Sequence, residues 1–219
     1  MHEGIVINGL KAIPTHVALK KRSQFRKTGF VAIHSLIKAE LSATLEQDAI
    51  ASSAQNIGIP DSRNTISLEK HTTETAVYKS TKRLQSINVL PQLQNELLPL
   101  LRVLTGHLLE PLNSWYIYYE GTDGISLHID PEKSDISVLI SVLGEVGPLH
   151  FHPELEAQNQ HQLDAYYQGA NWNPNSGIPF TYPYDGILVN RGHRIPHHRT
   201  GRPISERCAV ATMHYTIVR

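Results

Sequence analysis

Between Leu36 and Ala54 the chain carries Leu41, Leu45 and Ala49 at four-residue intervals among Glu40, Glu46 and Asp48, the stripe of an amphipathic helix with one face against a core. Gly58-Ile59-Pro60-Asp61 ends that pattern, since glycine and proline break the helical repeat. A second helical stretch runs from about Leu93 to Leu109, with Leu93, Leu97, Leu101, Leu104 and Leu108 on one side and Pro99 predicting a local irregularity. Both stripes read as core positions. Gly29-Phe30-Val31-Ala32-Ile33 predicts a short strand, and Thr65 to Lys70 fits either a strand or a helix. Residues 1–110 are thus expected to be mostly helical support.

From Ser114 the period changes. β-Branched and aromatic residues come in short runs separated by glycine and proline turns: Trp115–Tyr119, Ile125–Ile129, Ile136–Leu143, Leu149–Phe151, Gly186–Asn190 and Cys208–Val218. So many short strands in the segment 111–219 predict a sandwich or barrel. The connection from Glu154 to Tyr184 is rich in Asn, Gln, Gly, Pro and Tyr, and its length predicts a lid or binding loop.

Composition narrows the function classes. A chain of 219 residues suffices for one domain with its own core, so 1–219 is expected to form a single unit. Lys plus Arg and Asp plus Glu both number 20, which leaves no net field to steer the chain towards nucleic acid or an anionic membrane. The one basic run, Lys20-Lys21-Arg22 with Arg26 and Lys27, lacks interleaved aromatic platforms beyond Phe25 and reads as a solvated segment. Cys208 is the single cysteine, which excludes an internal disulfide and a CxxC zinc site and fits a reducing compartment. No run is long and apolar enough to predict a membrane span or a signal peptide, so a cytoplasmic location is expected.

Histidine is the conspicuous residue type, with 13 in the chain and more than half of them from His128 onward. His128 and Asp130 lie two apart, so both can face one ion from a strand or its end. A third ligand from a distant strand would complete a set of two imidazoles and one carboxylate with open positions, the donor set of non-haem Fe(II) oxygenases. His-x-Asp alone also fits an ordinary exposed strand end, so the flanking blocks decide.

Those blocks resemble the Fe(II)/2-oxoglutarate-dependent oxygenases, a superfamily that includes prolyl hydroxylases and small-molecule hydroxylases. Tyr118-Tyr119-Glu120-Gly121-Thr122-Asp123-Gly124-Ile125-Ser126-Leu127-His128-Ile129-Asp130 resembles the aromatic strand, glycine turn and HxD of that family. Asp185-Gly186-Ile187-Leu188-Val189-Asn190-Arg191-Gly192 resembles the turn and strand ahead of the distal ligand, and Ile195-Pro196-His197-His198-Arg199 the segment bearing it. Glu206-Arg207-Cys208-Ala209-Val210-Ala211-Thr212-Met213-His214-Tyr215 resembles the final strand, and Thr28 to Ile33 the entry strand. The resemblance implies a mainly β fold with N-terminal helices, a double-stranded β-helix or jelly-roll core flanked by helices.

Carried over position by position, the resemblance implies that His128, Asp130 and His197 bind Fe(II), with His198 as the competing distal ligand. It also implies 2-oxoglutarate and O2 as co-substrates, with the distal carboxylate held by Arg207, ten residues after His197, because a guanidinium fork gives a carboxylate two parallel hydrogen bonds. Tyr118 or Tyr119 is a candidate hydroxyl donor to the co-substrate. Arg199, His150, His152 and Trp172 are candidate substrate-binding residues; for Arg199 a surface salt bridge is the competing expectation. His193 and His214 read as structural, and Cys208 as a small buried apolar residue.

The implied reaction decarboxylates 2-oxoglutarate to succinate and CO2 and hydroxylates an unactivated C–H bond of a small molecule, amino acid or peptide. The carboxylate at Asp130 argues against halogenation and leaves desaturation or ring formation open. Two other classes compete. Gly144, His150, His152 and Glu156 open a cupin-type metal motif, although Leu163 stands where that motif needs glycine and its second block has no counterpart. A β-sandwich binding module without catalysis is the third reading.

Overall fold

A computed structural model describes residues 9–54, 58–60, 82–84, 89–121, 124–170, 172–200 and 204–219. Its five helices among these residues are α1 (Thr15–Thr28), α2 (Ala39–Ala54), α3 (Val89–Glu96), α4 (Leu98–Thr105) and α5 (Gln160–Gln168). The strands are β1 (Phe30–Ile33), β2 (Gly58–Pro60), β3 (Lys82–Leu84), β4 (Leu109–Gly121), β5 (Ile125–His128), β6 (Ile136–Leu143), β7 (Leu149–Phe151), β8 (Ile178–Phe180), β9 (Ile187–Asn190), β10 (His197–Arg199) and β11 (Ile204–Ile217). All pairings are antiparallel, in a seven-stranded sheet ordered β1-β9-β6-β11-β4-β3-β2 and a four-stranded sheet ordered β5-β10-β7-β8.

The large sheet is covered on both faces, and its strand sequences record both covers. On one face Val31, Tyr116, Tyr118, Val138, Ile140, Val189, Ala209, Ala211 and Met213 pack against Ala18 and Phe25 of α1, Leu45 and Ala49 of α2, and the leucines of α3 and α4. On the other, Phe30, Ile117, Tyr119, Leu139, Leu188, Cys208 and Val210 meet Leu149 and Phe151 of β7 from the small sheet. Each fully buried Leu, Val or Phe contributes roughly 1.5–3 kcal/mol. A third, smaller cluster joins Leu127, Leu155 and Leu163 where α5 covers the outside of the small sheet.

The helix predicted from Leu36 forms as α2 over Ala39–Ala54. The second predicted helix is two: Leu97 and Pro99 open α4 anew after α3 ends at Glu96, because proline has no N–H to continue the ladder. Helix α1 contains the basic run that had read as a mere solvated segment; Ala18 and Phe25 are its buried positions, and Gly29 at φ 79° closes it in a left-handed cap that donates to the Phe25 carbonyl. Strands β4 and β11 begin earlier than expected, at Leu109 and Ile204. The predicted loop Glu154–Tyr184 holds α5 and β8. Asn159 and Gln162 form a capping box at the start of α5. Gly58–Pro60, expected to stop a helix, forms β2, while Asp61 and the Thr65–Lys70 segment lie outside the described residues. No helix among the described residues is long and apolar enough to cross a membrane.

Candidate metal centre

Three segments bring the candidate ligands together on the inward side of the small sheet. His197 opens β10 and pairs with His128 at the end of β5. The next pairing joins Arg199 to Ile125, so two residues of β10 oppose three of β5. This bulge puts His128 beside His197, where a regular ladder would have paired position 127. Asp130 follows in the loop, where its N–H donates to the Gly192 carbonyl (2.9 Å) and its own carbonyl accepts from His193 Nδ1 (3.1 Å).

His128 Nε2 and His197 Nε2 each lie 3.8 Å from Asp130 Oδ1, and one ligand atom from each of the three residues falls within 4.8 Å of the others. Both imidazoles are oriented the same way: Nδ1 of His128 donates to the Ser126 carbonyl (2.8 Å) and Nδ1 of His197 to the Ile195 carbonyl (3.0 Å). Those contacts place the proton on Nδ1 and leave each Nε2 lone pair facing the carboxylate. Two fixed imidazole nitrogens and one carboxylate oxygen suit a divalent first-row metal, and Fe(II) in particular.

The second oxygen of Asp130 is held separately. Ser137 Oγ donates to Oδ2 (2.5 Å) and accepts from His214 Nδ1 (3.1 Å), so His214, Ser137 and Asp130 form a chain that aims Oδ1 at the two histidines. Burial alone would raise the Asp130 pKa, but His214, His197, His128 and the Ser137 hydroxyl outweigh it and hold the carboxyl well below its usual range. Gly192 is required beside it: a Cβ there would lie 2.0 Å from Asp130 Oδ2 and 2.2 Å from Ser137 Oγ. Gln160 of α5 clasps the backbone on either side of His128, donating to the Leu127 carbonyl and accepting from the Ile129 N–H, both at 3.3 Å. His214, Ser137, Gly192 and Gln160 were not identified from sequence as parts of the site.

Strand parity separates the remaining candidates. Arg199, two residues after His197 on β10, points inward and is 2% exposed. It is no surface ion-pair residue. Nη2 donates to the Tyr182 hydroxyl in a short contact, and the guanidinium lies over the rings of Tyr119 (4.4 Å) and Tyr182 (5.2 Å). Nε and Nη1 are buried with no hydrogen-bond partner. Burial pushes the Tyr182 phenol up by more than the Arg199 charge lowers it, so Tyr182 supplies no counter-charge.

Arg207 is not brought to this side. Cys208 packs into the core between the sheets, so its neighbour Arg207 faces the other way, exposed, with Nη1 donating to Ser53 Oγ of α2 at 3.3 Å. Tyr118 shares that outer face and donates to the Ala49 carbonyl (2.5 Å), whereas Tyr119 points between the sheets. The expected roles of Arg207 and Tyr118 at the co-substrate therefore do not fit their positions.

His150, His152 and His198 likewise point to the outside of the small sheet, not towards the metal ligands. His198 Nδ1 and His152 Nε2 are 2.9 Å apart, His198 Nε2 donates to the Pro174 carbonyl (3.0 Å), and His150 Nδ1 donates to the Ser176 carbonyl (3.0 Å). Trp172 covers them, 4.7 Å from the His198 ring. Burial lowers the pKa of His152 and takes His198 down to about 3. Two neutral rings carry two protons for three contacts, and Glu154, 2.8 Å from His152 Nδ1 and over half exposed, is the partner water can replace. The choice between His197 and His198 thus falls to His197. The cupin set does not assemble either, because Glu156 pairs with Arg194 (3.1 Å).

No protein-family model matches the sequence, and no curated protein matches it. Solved structures do resemble the chain. A prolyl hydroxylase from Trichoplax adhaerens, in complex with a hypoxia inducible factor peptide fragment, superposes with a TM-score of 0.64 at 15% identity, covering 93% of this chain and 90% of its own. The non-haem alpha-ketoglutarate-dependent epimerase SnoN from nogalamycin biosynthesis gives 0.70 at 11% identity over 92% and 84%; it has also been solved with Fe3+, alpha-ketoglutarate and nogalamycin RO. A Pseudomonas putida prolyl-4-hydroxylase gives 0.62 at 11% identity over 92% and 100%. The chain has the fold of the non-haem 2-oxoglutarate-dependent oxygenases.

Proposed function

We propose that this protein is an Fe(II)- and 2-oxoglutarate-dependent oxygenase whose two sheets form a double-stranded β-helix. The observation that carries the reading is the convergence of His128 Nε2, His197 Nε2 and Asp130 Oδ1 on one point. Three protein ligands leave open positions for a bidentate 2-oxo acid and O2. Bound there, Fe(II) with these co-substrates supplies an oxidant for unactivated C–H bonds, with release of succinate and CO2.

The residues of the chain have separate tasks. His128 and His197 turn Nε2 towards the carboxylate because backbone carbonyls hold Nδ1 on the other side of each ring. Asp130 completes the set and stays ionised, with Ser137 and His214 fixing its angle. A carboxylate at this position supports hydroxylation over halogenation. SnoN is an epimerase and the Trichoplax protein a prolyl hydroxylase, so one fold serves several outcomes and both small-molecule and peptide substrates. We favour hydroxylation of a small molecule, an amino acid or a peptide, in the cytoplasm.

The purified protein with Fe(II), ascorbate and O2 is expected to convert 2-oxoglutarate to succinate slowly without added substrate. His128→Ala, Asp130→Ala and His197→Ala should each remove that turnover while remaining folded. Succinate formation that persists in all three variants, or none in the wild type, refutes the reading.

A further inference from the structure

The inward face of β10 carries a second feature beside the metal ligand. Arg199 is a full positive charge, 2% exposed, with two of its three nitrogens unpartnered and no carboxylate among the described residues to balance it. Burying an uncompensated charge is costly, and buried donors without partners are rare. Tyr119 and Tyr182 offset part of that cost through their ring faces and hydroxyls, but burial keeps the Tyr182 phenol protonated, so it brings no counter-charge. Unpaired donors on a buried guanidinium suit an anionic ligand.

Position says which anion. Arg199 and His197 are alternate residues of one strand, pointing the same way about 6.7 Å apart along it. A 2-oxo acid chelated beside His197 would extend its chain past Arg199, and two methylenes carry the second carboxylate of 2-oxoglutarate that far from its chelating end. The spacing of ten residues that favoured Arg207 counts sequence, whereas the strand face decides which cation reaches the interior. Arg207 stands on the helix side of the large sheet, with that sheet between it and the ligands.

Resting on the reading of the metal centre above, we propose that Arg199, supported by Tyr119 and Tyr182, is the residue that binds the distal carboxylate of the co-substrate. Arg207 takes no part. The pocket so formed selects a dicarboxylate 2-oxo acid, because a ligand without the second carboxylate leaves the buried guanidinium unpaired.

Anaerobic calorimetric titration of the Fe(II)-loaded protein separates the possibilities, with 2-oxoglutarate and 2-oxovalerate as the two ligands. These share the chelating end and differ in a distal carboxylate or methyl. The wild type is expected to prefer 2-oxoglutarate by about 100-fold. Arg199→Gln should abolish the preference by weakening 2-oxoglutarate about 100-fold while moving 2-oxovalerate by less than about 3-fold, and Arg207→Gln should leave both affinities as they were. Arg207 lies on the surface, so its variant decides the matter even if Arg199→Gln does not fold: loss of the preference there overturns the proposal. Retention of the preference in folded Arg199→Gln also overturns it. If the wild type binds neither acid, the metal-centre reading itself falls and the proposal with it; if it binds both with equal affinity, only the proposal falls.

Discussion

Asp130 shows how much one side chain depends on its neighbours. Its Oδ1 serves the metal position while Oδ2 is held by Ser137, which in turn accepts from His214. Partners behind a metal ligand are worth roughly 10–100-fold in metal affinity when removed. Ser137→Ala is therefore expected to weaken Fe(II) binding about 10-fold, read by competition with a chromophoric chelator, with little change in the apo fold. An unchanged affinity would mean that the serine merely fills space. Gly192→Ala should act more severely, because the added methyl would overlap both Asp130 Oδ2 and Ser137 Oγ, and one of the two must move. At this scale the sequence was partly legible. His128 and Asp130 were readable from their spacing and flanking blocks. Counting from His197 picks out Arg207, whereas Arg199 on β10 is the arginine buried on the inward side, because the count cannot reveal which face of β11 Arg207 takes. That face depends on a register shift between Ile204 and Cys208 that has no local signature.

Among the elements, β10 is the divider of the site. His197 and Arg199 face inward, and His198 faces outward to join His152, the Pro174 carbonyl and Trp172. Together with Thr200, whose Oγ also donates to the Pro174 carbonyl (2.6 Å), and His150 on Ser176, this cluster ties the connection ahead of β8 to the back of the small sheet. The segment that sequence length marked as a lid is, from Trp172 to Ser176, a strap on the outside. His150→Ala and His152→Ala are expected to lower stability by about 1–3 kcal/mol each, by denaturant titration, and to leave metal affinity within about 2-fold. Loss of metal in these variants but not in His128→Ala would restore the cupin alternative. Helices α3 and α4 were legible as one leucine stripe broken at Pro99. Helix α1 was hidden because Lys20, Lys21, Arg22, Arg26 and Lys27 dominate its composition and only Ala18 and Phe25 are buried. Helix α5 was hidden inside a polar stretch, although Asn159 and Gln162 carried its capping box.

For the whole molecule, the large sheet is a wall with helices behind it and the metal ligands in front. The near-continuous apolar runs of β6 and β9, Ile136 to Leu143 and Ile187 to Val189, follow from burial on both faces. Reading them as strands was therefore secure, whereas sheet order and the bulge between β5 and β10 depend on long-range pairing that periodicity does not encode. Because the three ligands come from β5, the loop after it and β10, a bound ion ties together segments distant in sequence. Fe(II) at about 100 times its Kd is expected to stabilise the fold by about 2.7 kcal/mol, raising the unfolding midpoint by about 5–10 °C, and a chelator should reverse the shift. Asp130→Ala should show no such shift.

On the proposed reading, His128, Asp130 and His197 hold Fe(II) with 2-oxoglutarate beside it. The most direct measurement is the visible absorption of the protein mixed anaerobically with Fe(II) and 2-oxoglutarate. A weak metal-to-ligand charge-transfer band is predicted for the wild type and its loss in His128→Ala and Asp130→Ala; no band in the wild type, or one that survives both substitutions, would contradict the account.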